Sequence, residues 1–138
     1  MNEFYVYASS TISKKHPENT FDSFTVSLPH SIVLEGGDWS VGLCDVTYAD
    51  NKKTTFPDMF LCMDIISSNF DSTTSLPILR FLHGEKSPVK KNFSNVYYCR
   101  LKSNRLDTLR MYLNTTDKKS PSVKDTTLYC TLHFKRNG

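Results

Sequence analysis

The residues of this chain that are able to do chemistry are four histidines, four cysteines and a scatter of carboxylates. A hydrolase needs a nucleophile with a base in hydrogen-bond reach. His16, His30 and His83 stand in predicted loops or at strand ends beside Pro or Gly, and His133 falls on the polar face of the last predicted strand. The chain has no Gly-x-Ser-x-Gly elbow, no P-loop and no HExxH pair. Cys44, Cys62, Cys99 and Cys130 show no CxxC spacing, and each lies in an apolar stretch. They read as core thiols of a reducing compartment rather than as bridges or zinc ligands. Asp45, Asp50, Asp58 and Asp64 flank the central strands, as a calcium or glycosidase site would require, but no DxDxDG loop accompanies them. They read as hydrogen-bonded turn acids, with Asp45 sharing a face with Trp39 and Leu43. Glu35 and Asp38 beside Gly36-Gly37 read as turn residues. No catalytic residue, metal ligand or cofactor site is expected.

The tyrosines form a second signal. Tyr5, Tyr7, Tyr48, Tyr97, Tyr98, Tyr112 and Tyr129 exceed what one face of a small core holds. Strand neighbours point to opposite faces, so some must reach the surface, where tyrosine favours protein contacts. The alternative is that they border the core at sheet edges.

The elements that position these residues are strands. Period-two alternation runs from end to end, and no segment carries a 3.6-residue stripe. Strands are expected at Phe4–Ala8, Phe21–Leu28 (ended by Pro29), Ser31–Glu35 (closed by Gly36-Gly37), Asp38–Tyr48, Met59–Ile66, Leu76–Leu82, Val96–Leu101, Thr108–Leu113 and Thr126–Lys135. In the last, Leu128, Cys130, Leu132 and Phe134 face inward. Gly42, inside a strong strand, signals a bulge or a close backbone approach. Loops are expected at Asn51–Pro57, Ser67–Ser75, His83–Lys91 and Asn114–Asp125. An all-β chain without crossover helices folds as an antiparallel two-sheet sandwich, and eight principal strands make a single jelly roll.

Composition bounds the rest. The 138 residues, 38% hydrophobic and 12% aromatic, fit one domain with a filled core, residues 1–138. The net charge is +3, and ten of the 17 basic residues fall in short pairs (Lys14-Lys15, Lys52-Lys53, Lys90-Lys91, Lys118-Lys119, Lys135-Arg136), all but the last in predicted loops. Scattered pairs make solvated loops, not the dense basic stripe of a nucleic-acid binder. No segment reaches the roughly 18 apolar residues of a membrane span. The start, Met1-Asn2-Glu3-Phe4-Tyr5, has no signal-peptide pattern, so synthesis in the cytosol is expected. The sequons at Asn92 and Asn114 then read as chance matches of little meaning.

Several motifs together resemble a known family. They are the Phe4-Tyr5-Val6 strand, Glu18-Asn19-Thr20 leading into Phe24-Thr25-Val26-Ser27-Leu28-Pro29, Ile32-Val33-Leu34, the run Gly37 to Tyr48, the segment Tyr97-Tyr98 through Leu113, and the closing Thr131-Leu132-His133-Phe134-Lys135. This arrangement, over nearly the whole chain, resembles the single jelly-roll penton or minor capsid proteins of Polinton (Maverick), adintovirus and adomavirus-like double-stranded DNA viruses. The resemblance implies a non-enzymatic virion protein, forming a ring of five at the icosahedral vertex beside a double jelly-roll major capsid protein. Candidate contact elements are Met1–Tyr7, His83–Lys91, Asn114–Asp125 and the C-terminal tail. The chain is short for that family, which leaves a capsid cement role open. Other readings are a lectin-like or cytokine-like binding module and, more remotely, a cupin-like enzyme.

Overall fold

The computed structural model describes residues 1–50, 55–67, 76–116 and 126–137. The described residues contain nine strands and no helix: β1 (Glu3–Ser9), β2 (Ser23–Val33), β3 (Trp39–Ala49), β4 (Met59–Met63), β5 (Ile78–Leu82), β6 (Val89–Asn92), β7 (Tyr98–Arg100), β8 (Arg105–Thr115) and β9 (Thr127–Arg136). One sheet runs β1-β9-β3, with β6 and β7 sharing the far edge of β3. The other runs β2-β8-β4-β5. Every ladder is antiparallel.

The pairing is nested. The first strand meets the last, β2 meets β8, β3 meets β6 and β7, and β4 meets β5. That is one long hairpin wrapped into two sheets, the connectivity of a jelly roll. Because β6 and β7 occupy one edge in succession, the nine strands fill eight positions.

Alternation explains the core. Leu128, Cys130, Leu132 and Phe134 of β9 are buried, as expected, and oppose Val41, Leu43, Val46 and Tyr48 of β3. Facing them are Met59, Leu61 and Met63 of β4 and Leu106, Leu109, Met111 and Leu113 of β8. Each large apolar side chain removed from water contributes about 1.5–3 kcal/mol, against the entropy of ordering the chain. Gly36 and Gly37 take positive φ in the turn before β3, which glycine adopts without a Cβ penalty.

Four expectations are corrected. Pro29 does not end a strand: β2 runs through it. It is tolerated because β2 is an edge strand with a long bulge, five steps from Ser27 to Ile32 against two on β8. The expected loop His83–Lys91 gives its last residues to β6, so Lys90-Lys91 lie on a strand. Its lysine-rich pattern hides a short edge strand anchored by buried Val89. Asp45 does not share the face of Trp39 and Leu43. A bulge between Leu43 and Asp45 flips the parity, so Asp45 pairs with Thr131 on the outer face. Of the four thiols only Cys62 and Cys130 are buried, whereas Cys44 and Cys99 are half-buried, and all four are free.

Of the expected loops, 51–54, 68–75 and 117–125 lie outside the described residues, as do Lys52-Lys53 and Lys118-Lys119.

Candidate functional site

The fold does not gather the chemistry-bearing residues. His16 Nε2 lies 2.6 Å from Ser27 Oγ, His30 is exposed on β2, and His83 is exposed with its ring edge-on to Phe81. Asp58 and Asp64 sit at opposite ends of β4. Asp58 accepts the Gly84 N–H at 2.6 Å and Asp64 accepts the Arg110 N–H at 3.2 Å, each holding a turn. The Asp50 N–H donates to Ser87 Oγ at 3.0 Å. The Glu35 carbonyl accepts Trp39 Nε1–H at 3.1 Å, and Asp38 pairs with Arg100 at 3.6 Å. No group of three or more His, Cys, Asp or Glu among the described residues is placed to hold a metal.

The thiols are not poised as nucleophiles. Burial pushes Cys62 up to about 11 and Cys130 up to about 12, with Asp45 adding to the latter. Cys44 and Cys99 are also raised by burial. A raised thiol keeps its proton at neutral pH and stays inert.

What the fold does gather is aromatic. On the outer face of the β1-β9-β3 sheet, Tyr5 pairs with His133, and His133 with Gly42, which pairs with Tyr98. The Tyr5 ring stacks on His133 at 4.5 Å, and the Tyr98 hydroxyl is hydrogen-bonded to Nδ1 at 2.7 Å. Lys135 Nζ lies 3.8 Å over the Tyr98 ring, and Glu3 reaches to 3.5 Å from Nε2. His133 is therefore on the outward face as expected, yet only 8% exposed. Gly42 makes the row possible. A Cβ there would overlap Val96 and come within 3.0 Å of the Tyr97 carbonyl and 3.1 Å of Tyr98 Cδ1. This is the close backbone approach that its position in the strand signals.

Around this row stand Tyr7, Tyr129 and Tyr5, exposed by 79%, 55% and 53%. Tyr97 packs on the Arg80 guanidinium at 4.5 Å, with Phe93 on it at 4.0 Å. Tyr48, by contrast, is a core residue held by Phe21 and Phe56. Some of the tyrosines thus reach the surface, as expected, while Tyr48 lies wholly inside the core rather than at its border. Sequence reasoning missed His133 as the centre of the row. The signal was its place opposite Tyr5, which needs the β1-to-β9 pairing to be seen.

A groove of about 750 Å³ opens where β1 and β2 leave the two sheets apart, floored by Phe4, Val6, Val26 and Ile32. It continues into a stretch of about 560 Å³ that reaches Lys14, Lys15 and His16. No helix among the described residues is long and apolar enough to cross a membrane. Comparison with known proteins finds no family model that matches the sequence and no curated protein that matches it.

Proposed function

We propose that this chain is a non-enzymatic structural subunit that works by assembling with other proteins. The observation that carries this reading is the outer face of the β1-β9-β3 sheet. Three tyrosines stand exposed there on a rigid ladder, around a histidine locked by stacking and hydrogen bonding. Tyrosine offers large contact area at small entropic cost and is enriched in interface cores. Asp50, Asp58 and Asp64 tie down turns, which fits a protein whose work is geometric.

The jelly-roll connectivity and the resemblance of its motifs to penton and minor capsid proteins support a more specific proposal. The chain is a vertex or minor capsid subunit of a double-stranded DNA virus, forming a ring of five beside a double jelly-roll major capsid protein. In such a ring each subunit presents different patches to its two neighbours. Fold alone does not carry that step, since jelly rolls host many functions. The double variant Tyr7→Ser, Tyr129→Ser, which leaves Tyr5 stacked on His133, tests the assembly reading. It is expected to keep the melting behaviour of the parent and lose assembly. Unimpaired assembly of a folded variant would contradict it.

A further inference from the structure

The two strands bordering the groove treat their free edges differently. In β2, the Asp22 carbonyl accepts the Leu113 N–H at 3.0 Å, so the even residues of its first half bond β8 and the odd ones point outward. That outward edge is closed. The Asn19 side chain pairs with both backbone groups of Thr25, accepting its N–H at 2.9 Å and donating to its carbonyl at 3.1 Å. The bulge and Pro29 interrupt the rest of the edge.

The edge of β1 is open. The Arg136 N–H donates to the Asn2 carbonyl at 2.9 Å, and the Ser10 N–H to the Leu128 carbonyl at 3.0 Å. Even residues of β1 therefore bond β9, and the N–H and C=O of Glu3, Tyr5, Tyr7 and Ser9 aim away from the sheet. Among the described residues no backbone partner meets those of Tyr5 or Tyr7. Below this row of unpaired groups lies the apolar floor. At its Ser9 end the lining turns to Ser13, Lys14, Lys15 and His16, and no described lining residue of either stretch is acidic.

We propose that this groove receives an extended segment of a partner protein, which adds as a strand to β1. The segment places alternate apolar side chains on Phe4, Val6, Val26 and Ile32 and acidic side chains against Lys14 and Lys15. Strand addition takes its affinity from main-chain bonds and its specificity from the alternate pockets and end charges. β1 spans seven residues, about 23 Å, so the segment is of similar length. The inference does not rest on the capsid reading, because it concerns the backbone edge of β1 rather than the tyrosine face.

The test uses the full chain and a labelled synthetic peptide of about nine residues. The peptide alternates valine and threonine and ends in two aspartates. Companion peptides carry two lysines in place of the aspartates, or N-methyl groups along one edge. The aspartate peptide is expected to bind and to slow hydrogen exchange at the Tyr5 and Tyr7 amides. Lys14→Glu with Lys15→Glu should weaken it about ten-fold and reverse its salt dependence. Tyr7→Pro deletes an N–H that the native ladder does not use, and should abolish binding while leaving a cooperative melt. If that variant does not fold, loss of binding by the N-methylated peptide to the parent protein makes the same point. Three results would overturn the proposal: no binding, equal binding of the lysine peptide, or binding without protection at Tyr5 and Tyr7. So would a concentration-dependent dimer that is lost in Tyr7→Pro but kept in Tyr7→Ser, with no peptide bound, which would assign the edge to a second copy. None of these bears on entry into particles, which tests the capsid reading separately.

Discussion

Asn19 acts on Thr25 as a neighbouring strand would. Its side-chain amide accepts the Thr25 N–H at 2.9 Å and donates to the Thr25 carbonyl and the Thr11 carbonyl, both at 3.1 Å. The residue is buried, so these bonds are shielded from water. Asn19→Ala is expected to lower stability by about 1–3 kcal/mol and to expose a second free edge. Thermal melts with light scattering check this: a lower melting temperature and a rise in mass are expected. An unchanged melt would mean that Asn19 does not hold the edge.

Gly42→Ala is expected to destabilise by about 1–3 kcal/mol, because the added methyl must displace the Val96 side chain and crowds the Tyr97 carbonyl and the Tyr98 ring. Denaturant unfolding measures the loss. Tyr98 and His133 should also show altered side-chain chemical shifts, since the crowded Tyr98 ring carries the hydroxyl bonded to His133.

Tyr48→Phe should cost nothing at neutral pH. The Tyr48 hydroxyl is buried with no hydrogen-bond partner among the described residues, so its removal relieves a desolvation penalty while Phe21 and Phe56 keep their ring contacts. A melting temperature equal to or above the parent's is expected. A drop of several degrees would show that the hydroxyl is satisfied in solution.

Stability should fall in alkali. Burial pushes Tyr48 up to about 12, with Glu85 adding, and pushes Cys62 and Cys130 up to about 11 and about 12. The fold holds these protons more tightly than the unfolded chain does. Below about pH 9 both states keep them and no pH dependence arises from these groups. As pH rises from about 9 towards 12, the unfolded chain releases them first and the free energy of unfolding declines. Melting temperature against pH should show a plateau and then a fall, shallower in Cys130→Ala. A flat profile to pH 11 would contradict the burial of these groups.

The sandwich was legible because its period-two pattern is unbroken where strands are buried on one face. The alternation Leu128, Cys130, Leu132, Phe134 located both β9 and its inner surface. Edge strands were less legible, since they need not look like strands. Pro29 sits inside β2 because an edge tolerates a missing donor, and Lys90-Lys91 sit in β6 because one buried valine suffices to anchor it. Asp45 was misplaced because a bulge carries no composition of its own. Of the candidate surface, the tyrosines were legible as residues but not as a patch. Which of them share a face with His133 depends on β1 pairing with β9, a contact across almost the whole chain. The open edge of β1 was invisible for the same reason, as an edge is defined by the partner it lacks.

The assembly reading is tested most directly by the mass of the purified protein, alone and in particles formed with a major capsid protein, using light scattering and electron microscopy. A ring of five, or density for this chain at five-fold vertices, is the predicted result. A protein that stays monomeric at high concentration and never enters particles would contradict it.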